Sequence, residues 1–313
     1  MKKYNFNIYI KIILFSIFFS ILLTEVINNN DLIINILKNN TIFFFYILCL
    51  QTFYFFIYNF RTYSIYKIFL KKKISINAWS HFFFKSLIYN ISFNFIGTIY
   101  RAIILRRLGL KYEKFAAILY LLFFSYFIIN LLFILLELFL LTQVNLSLKL
   151  FYISIFFIIL FLFIYIPELS KIFISKINLL NFYKTKIIYT INFLSTFYKK
   201  ELFKKKNIFN IIFLASILHL IELYIFYLTS NIFFSEISLE KILILFIISF
   251  FLDRIPFLSN IIGSSEIMFG FLSIYFGLLF HQGILIKFII RITGIIIMIF
   301  FFLSSFYFLK RKN

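Results

Sequence analysis

The sequence predicts an all-α fold: a polytopic helical bundle in a membrane, with about eight crossings and re-entrant or broken segments near 74–98 and 250–266. Three observations lead there. Apolar blocks of about 20 residues, the length needed to cross a bilayer as a helix, recur along the 313 positions. The composition is 63% hydrophobic with a mean hydropathy of +1.02, and the apolar runs are continuous rather than alternating, which excludes a barrel. Finally, 32 Lys and Arg stand against 11 Asp and Glu, giving a net charge of +21, and they cluster between the apolar blocks rather than within them.

That last pattern is the positive-inside signature, so the basic balance points to membrane orientation and not to nucleic acid. Of the 32 basic residues, 25 fall at 1–11, 61–73, 101–114, 171–206 and 310–312, all assigned to the cytoplasmic side. Both termini are then inside, in the cytoplasmic membrane of the cell. The whole chain, 1–313, reads as a single integral membrane domain.

In chain order, spans are expected near 8–27, 41–60, 115–142, 148–168, 207–230, 242–260, 266–281 and 287–309. The first follows Met1, Lys2 and Lys3 and has no small-residue cleavage site before Asn28, so it is read as an uncleaved span. The apolar stretch 74–98 is treated differently. A full crossing there would separate the basic cluster 101–114 from Lys71, Lys72 and Lys73, and the stretch carries His81, Lys85, Asn90, Asn94 and Gly97, which suit a re-entrant or broken helix. Residues 171–206 mix nine Lys with helically spaced Ile187, Ile188, Ile191, Leu194 and Phe197. They form either an amphipathic segment on the cytoplasmic leaflet or an ordinary basic connector.

Soluble-enzyme chemistry finds no foothold. There is no Walker loop, HExxH, GxSxG or aspartate-rich diphosphate site, and the single cysteine, Cys49, excludes a disulfide framework or thiolate cluster. His81, His219 and His281 lie on separate segments, so neither a metal site nor a cofactor is expected.

The polar residues left inside apolar blocks carry the functional signal, because a charged side chain at the centre of a bilayer costs at least about 2.5–3.5 kcal/mol. His219 and Glu222, three apart in one span, are either a proton relay or two groups that hydrogen-bond to make each other tolerable. Glu137, late in its span, is assigned to the outer interface. The tail from Asp253 to Glu266 is interrupted by Pro256, Gly263 and three charges. There Ser264 or Ser265 is suited to cap a new helix and Glu266 to complement its dipole, making the break a candidate half-helix site. Gly263, Gly270 and Gly277 recur every seven residues, and a small-residue stripe at Gly270 and Gly277 would let helices approach closely.

Two groups of these residues bear a resemblance. Gly97 with Arg101, Leu105 and Leu108-Gly109 resembles a GExxR…LG pattern, and Gly263-Ser264-Ser265-Glu266 with Gly277 and Arg291 resembles GxxE…G…R. Together they are similar to the transmembrane region of lysylphosphatidylglycerol synthases, a flippase-like family with many stand-alone proteins. Thr98 replaces the acidic residue of the first pattern and Phe93 the proline expected before Gly97. The resemblance implies a flippase-like bundle with re-entrant segments that handles anionic lipids, aminoacylated lipids or lipid-linked sugars, without a soluble aminoacyl-transferase domain.

On this reading the substrate-binding residues are Arg101, Arg254, Gly263, Ser264, Ser265, Glu266 and Arg291. The arginines are candidates for a lipid phosphate and Glu266 for a counter-charge; the alternative is internal ion pairing, Arg291 with Glu266 or Arg254 with Asp253. Membrane lipids are the expected partners, with a lipid-modifying enzyme alongside. The rival functions are an intramembrane glycosyl transferase or polymerase acting on a lipid-linked substrate, and a non-catalytic scaffold of a lipid-modifying complex.

Overall fold

The computed structural model describes residues 16–70, 72–92, 96–140, 150, 153–154, 157–158, 205–233, 238–254 and 263–310. Among these the structure is helical, with no strand. The helices are α1 (Ser16–Asn28), α2 (Asn30–Asn39), α3 (Thr41–Phe69), α4 (Ile76–Ser92), α5 (Ile96–Arg107) and α6 (Tyr112–Leu140). Then come α7 (Lys205–Phe233), α8 (Leu239–Arg254), α9 (Ser264–Ile274) and α10 (Phe280–Lys310).

Four stretches are long and apolar enough to cross a membrane: Thr41–Phe69, Tyr112–Glu137, Ile212–Phe233 and Phe280–Tyr307. At about 1.5 Å per residue each exceeds or matches the roughly 30 Å hydrocarbon layer. They also leave rows of large apolar side chains uncovered, such as Ile292, Ile296, Ile299, Phe300, Leu303 and Phe306 on α10, which suit lipid and not water.

These four match the spans expected at 41–60, 115–142, 207–230 and 287–309; the expected total of about eight crossings is not confirmed among the described residues. The apolar run 242–260 is represented by α8, only 16 residues, and the run 266–281 by α9, only 11. Eleven residues rise about 16 Å, half the hydrocarbon depth. The physical reason lies at Gly277, which has φ +87° in the turn after α9. It ends the helix inside an apolar run that hydropathy reads as unbroken. Of the expected first span, residues before Ser16 are outside the described part, as are most of 148–168, the segment 171–204 and the break 255–262. The segment 74–98 forms α4 and the start of α5, with 93–95 outside the described residues.

The chain divides into two compact units, with the boundaries falling inside helices. One unit comprises Met1–Phe55, Phe84–Gly97 and Ile221–Asn313. Its core is a set of large side chains from α7, α8, α9 and α10, including Phe226, Leu245, Phe246, Phe269 and Ile286, all buried. Here α9 and α10 lie against each other through glycine. A Cβ on Gly283 would stand 2.9 Å from the Gly270 Cα and 2.2 Å from the Ser273 Oγ. Small residues thus set the helix approach, as in many membrane bundles. The contact pairs Gly270 with Gly283, whereas Gly277 serves the turn and not the expected stripe.

The other unit comprises Phe56–Phe83 and Thr98–Leu220. Its core is aromatic around Trp79, which has no exposed surface, meets the Tyr66 ring at a tilt at 5.2 Å and stacks on Phe83 at 6.0 Å. Arg61, assigned from sequence to a cytoplasmic basic cluster, is only 1% exposed and donates from Nη2 to the Leu122 carbonyl and the Ser125 hydroxyl. Its long stem and planar head make such burial tolerable when partners are supplied.

Candidate functional site

In the first unit the polar residues converge on α10. Lys287 and Arg291, four residues apart, project from one helix face about 6 Å apart along the axis. Opposite them stand the last turn of α8 and the first turn of α9. The Lys287 ammonium donates to the Asp253 Oδ2 at 2.5 Å and to the Ser249 Oγ at 2.8 Å. The Arg291 Nη1 donates to the Glu266 Oε1 at 2.6 Å.

The two carboxylates are held for opposite reasons. Glu266 sits in the first turn of α9, where the helix dipole favours a negative charge. Its other oxygen, Oε2, accepts the Gly263 N–H and the Ser265 hydroxyl, each at 3.0 Å, so both oxygens are satisfied at 1% exposure. Gly263 itself is the N-cap, at φ +95°, and a Cβ there would meet the Phe18 carbonyl oxygen at 2.7 Å. Capping therefore comes from the Glu266 side chain reaching back, and not from a serine hydroxyl at the cap position. The helix start supplies its own anion, so the Gly263 amide is already bonded.

Asp253 is the penultimate residue of α8, where the dipole disfavours a carboxylate. The ammonium of Lys287 offsets this, and it is itself nearly buried, at 5% exposure. Gly263→Ala is expected to destabilise the protein by at least about 1–2 kcal/mol, the penalty of a Cβ in left-handed backbone, before any clash with Phe18. A thermal scan in detergent checks this; an unshifted transition would contradict the geometry.

Two adjoining cavities open along this ladder. One, of about 250 Å³, is lined by Asp253, Ser265, Glu266, Lys287, Ile290 and Arg291. The second, of about 110 Å³, shares Asp253, Lys287 and Ile290 and adds Gln51, Tyr54, Glu222 and Ser249. Within it the Tyr54 hydroxyl donates to the Glu222 Oε1 at 2.7 Å, and the Gln51 amide donates to the Ile290 carbonyl at 3.3 Å. The carboxyl groups of Asp253, Glu266 and Glu222 thus line the two cavities together with the cations Lys287 and Arg291.

The sequence-derived residues fare unequally. Gly263, Ser265, Glu266 and Arg291 come together as one cluster, and Ser264 lies beside them as the first residue of α9. The internal pairing of Arg291 with Glu266 is present; Asp253 pairs with Lys287, while Arg254 closes α8 with its side chain outside the described part. Arg101 belongs to the other unit, 5% exposed, with its guanidinium 5.2 Å above the Phe83 ring. His219 and Glu222 share a helix but have separate hydrogen bonds: Glu222 with Tyr54, and His219 with Asn130 and Glu137.

Glu137, expected near the outer end of its span, is buried within the protein at 5% exposure. Lys287 and Tyr54 were passed over by the sequence reading. The signal for Lys287 existed, since a lysine four residues before an arginine in an apolar run must share a face with it and require an acid.

Together, these features define an α-helical protein with, among the described residues, four helices long and apolar enough to cross a membrane and a polar cavity walled by two ion pairs. Comparisons with protein-family models, curated proteins and solved structures return no match.

Proposed function

We propose that the protein is a flippase-like translocator that binds an anionic or modified lipid by its headgroup, an aminoacyl-phospholipid or a lipid-linked sugar being the class in view. The observation that carries the reading is the pair of ion pairs one turn apart, Lys287 with Asp253 and Arg291 with Glu266, both facing one cavity. An ion pair with a buried member gives little net stability over an apolar substitute, so two of them on a cavity wall, with Lys287 and Glu266 buried, favour a functional role. The phosphate of the lipid takes the place of Asp253 or Glu266 against Lys287 and Arg291, with the guanidinium offering a fork for two oxygens. When the headgroup leaves, the carboxylates return and keep the empty site neutral.

The resemblance to the lysylphosphatidylglycerol synthase transmembrane region, in Gly263, Glu266 and Arg291, supports the same reading. The distribution of basic residues favours the cytoplasmic membrane, with both termini inside. A lipid-modifying enzyme is the natural supplier of the cargo.

Reconstitution into vesicles containing a fluorescent acidic phospholipid, with a membrane-impermeant quencher added outside, tests the proposal. Wild-type protein is expected to expose inner-leaflet lipid to the quencher. Lys287→Gln and Arg291→Gln should each slow this at least about tenfold, the equivalent of about 1.4 kcal/mol. An unchanged rate in variants that retain the wild-type elution profile and helix content would overturn it.

A further inference from the structure

The second unit holds a polar cluster around His219, whose hydrogen bonds run to Asn130 and Glu137 and not to Glu222, and the lipid-phosphate site does not use it. On α6, Tyr126, Asn130, Phe133 and Glu137 fall at helical spacing along one face. His219 of α7, with no exposed surface, meets that face: its ring stacks on Phe133 at 4.8 Å, Nδ1 lies against the Asn130 Oδ1 and Nε2 lies 2.9 Å from the Glu137 Oε1.

The hydrogen positions follow from the network. The Asn130 amide nitrogen donates to the Tyr126 carbonyl at 2.7 Å, which fixes Oδ1 as the atom facing His219. An amide oxygen only accepts, so Nδ1 carries a hydrogen. On a neutral imidazole Nε2 is then a lone pair, and it faces a carboxyl oxygen. Two acceptors do not attract one another; the 2.9 Å contact requires one more proton between them. The second carboxyl oxygen of Glu137, Oε2, is buried and makes no hydrogen bond among the described residues. An ionised carboxylate would leave half its charge there unsolvated, whereas the carbonyl oxygen of a protonated acid is far cheaper to bury.

From this geometry we infer that Glu137 and His219 form a buried proton-binding site, loaded with one proton that Glu137 Oε1 donates to His219 Nε2. The charged and titratable groups next along this face are Tyr126 of α6 and Arg61 of α3, whose guanidinium lies 5.4 Å from the Tyr126 ring centre. Releasing the proton places a net negative charge on a buried pair, so release requires α6 and α7 to part enough to admit water. A carboxyl group that unloads only on helix separation is the component a proton-coupled carrier needs. The inference concerns this unit alone and does not depend on the lipid reading.

Infrared difference spectroscopy of the full chain in detergent, titrated from low to high pH, tests it without any transported substrate. The wild type is expected to lose a protonated-carboxyl stretch at high pH, and Glu137→Gln should abolish that band. The Gln amide can still donate to His219 Nε2, so this variant keeps the contact. His219→Gln should retain the carboxyl band but shift its frequency, because its acceptor has changed; a histidine that accepts no hydrogen bond from Glu137 would leave it in place. A wild-type spectrum in which Glu137 is ionised at every pH where the protein stays folded overturns the proposal, as does a carboxyl band unaltered in both variants.

Discussion

Glu266→Ala is expected to lower the unfolding free energy by about 3–5 kcal/mol, the usual penalty for removing one member of a buried, hydrogen-bonded ion pair. The loss is threefold. Arg291 loses the Glu266 carboxylate, the Gly263 N–H its cap, and the Ser265 hydroxyl its bond to Glu266. Arg291→Leu should cost less than Glu266→Ala, because Glu266 keeps two donors and the side chain of Arg291 is 23% exposed. The double variant Glu266→Leu with Arg291→Leu should recover part of the loss by removing both charges together. Unfolding in mixed micelles measures all three; a Glu266→Ala change below about 1 kcal/mol would contradict the packing described.

Gly283→Val is the second large effect. A side chain there has no room: its first carbon would lie 2.2 Å from the Ser273 hydroxyl and 2.9 Å from the Gly270 Cα. Forcing α9 and α10 apart should cost about 1–3 kcal/mol or more by overpacking. It should also weaken the Glu266–Arg291 pair, because the two residues sit on the helices being separated. A combined Gly283→Val and Arg291→Leu variant should therefore be less destabilised than the sum of its parts. The Gly294→Ala change on the same helix is a control, since its Cβ would meet no atom closer than 3.7 Å. Equal thermal shifts for positions 283 and 294 would count against the glycine contact.

Much of the class was legible from the sequence. Continuous apolar blocks and clustered basic residues require helices in a membrane, and four of the expected spans are long helices. The pairing of Arg291 with Glu266 was also within reach, since two opposite charges in neighbouring apolar runs have few other partners. Helix length was less legible. Hydropathy averages over a window and does not register a single left-handed residue, so the turn at Gly277 was hidden within one apolar run.

Partner choice was the least legible. Asp253 meets Lys287 from 34 residues away, a partner that its position beside Arg254 does not suggest. The burial of Glu137 was hidden for a related reason. Position along a helix gives depth, but whether a face is covered depends on a neighbour such as α7, which the sequence of α6 does not reveal.

The shortness of α9 has a consequence for biogenesis. A helix of 11 residues is too short to be retained by a bilayer as an independent segment, yet it is joined by a tight turn to one of 31. The two therefore partition into lipid as a single hairpin, the long arm anchoring the short one. Glu266 and Arg291 lie one on each arm, so the hairpin can neutralise them against each other as it enters, and neither charge need cross the apolar layer alone. The Glu266–Arg291 pair is in this sense local, joining two helices that adjoin in sequence across a single turn.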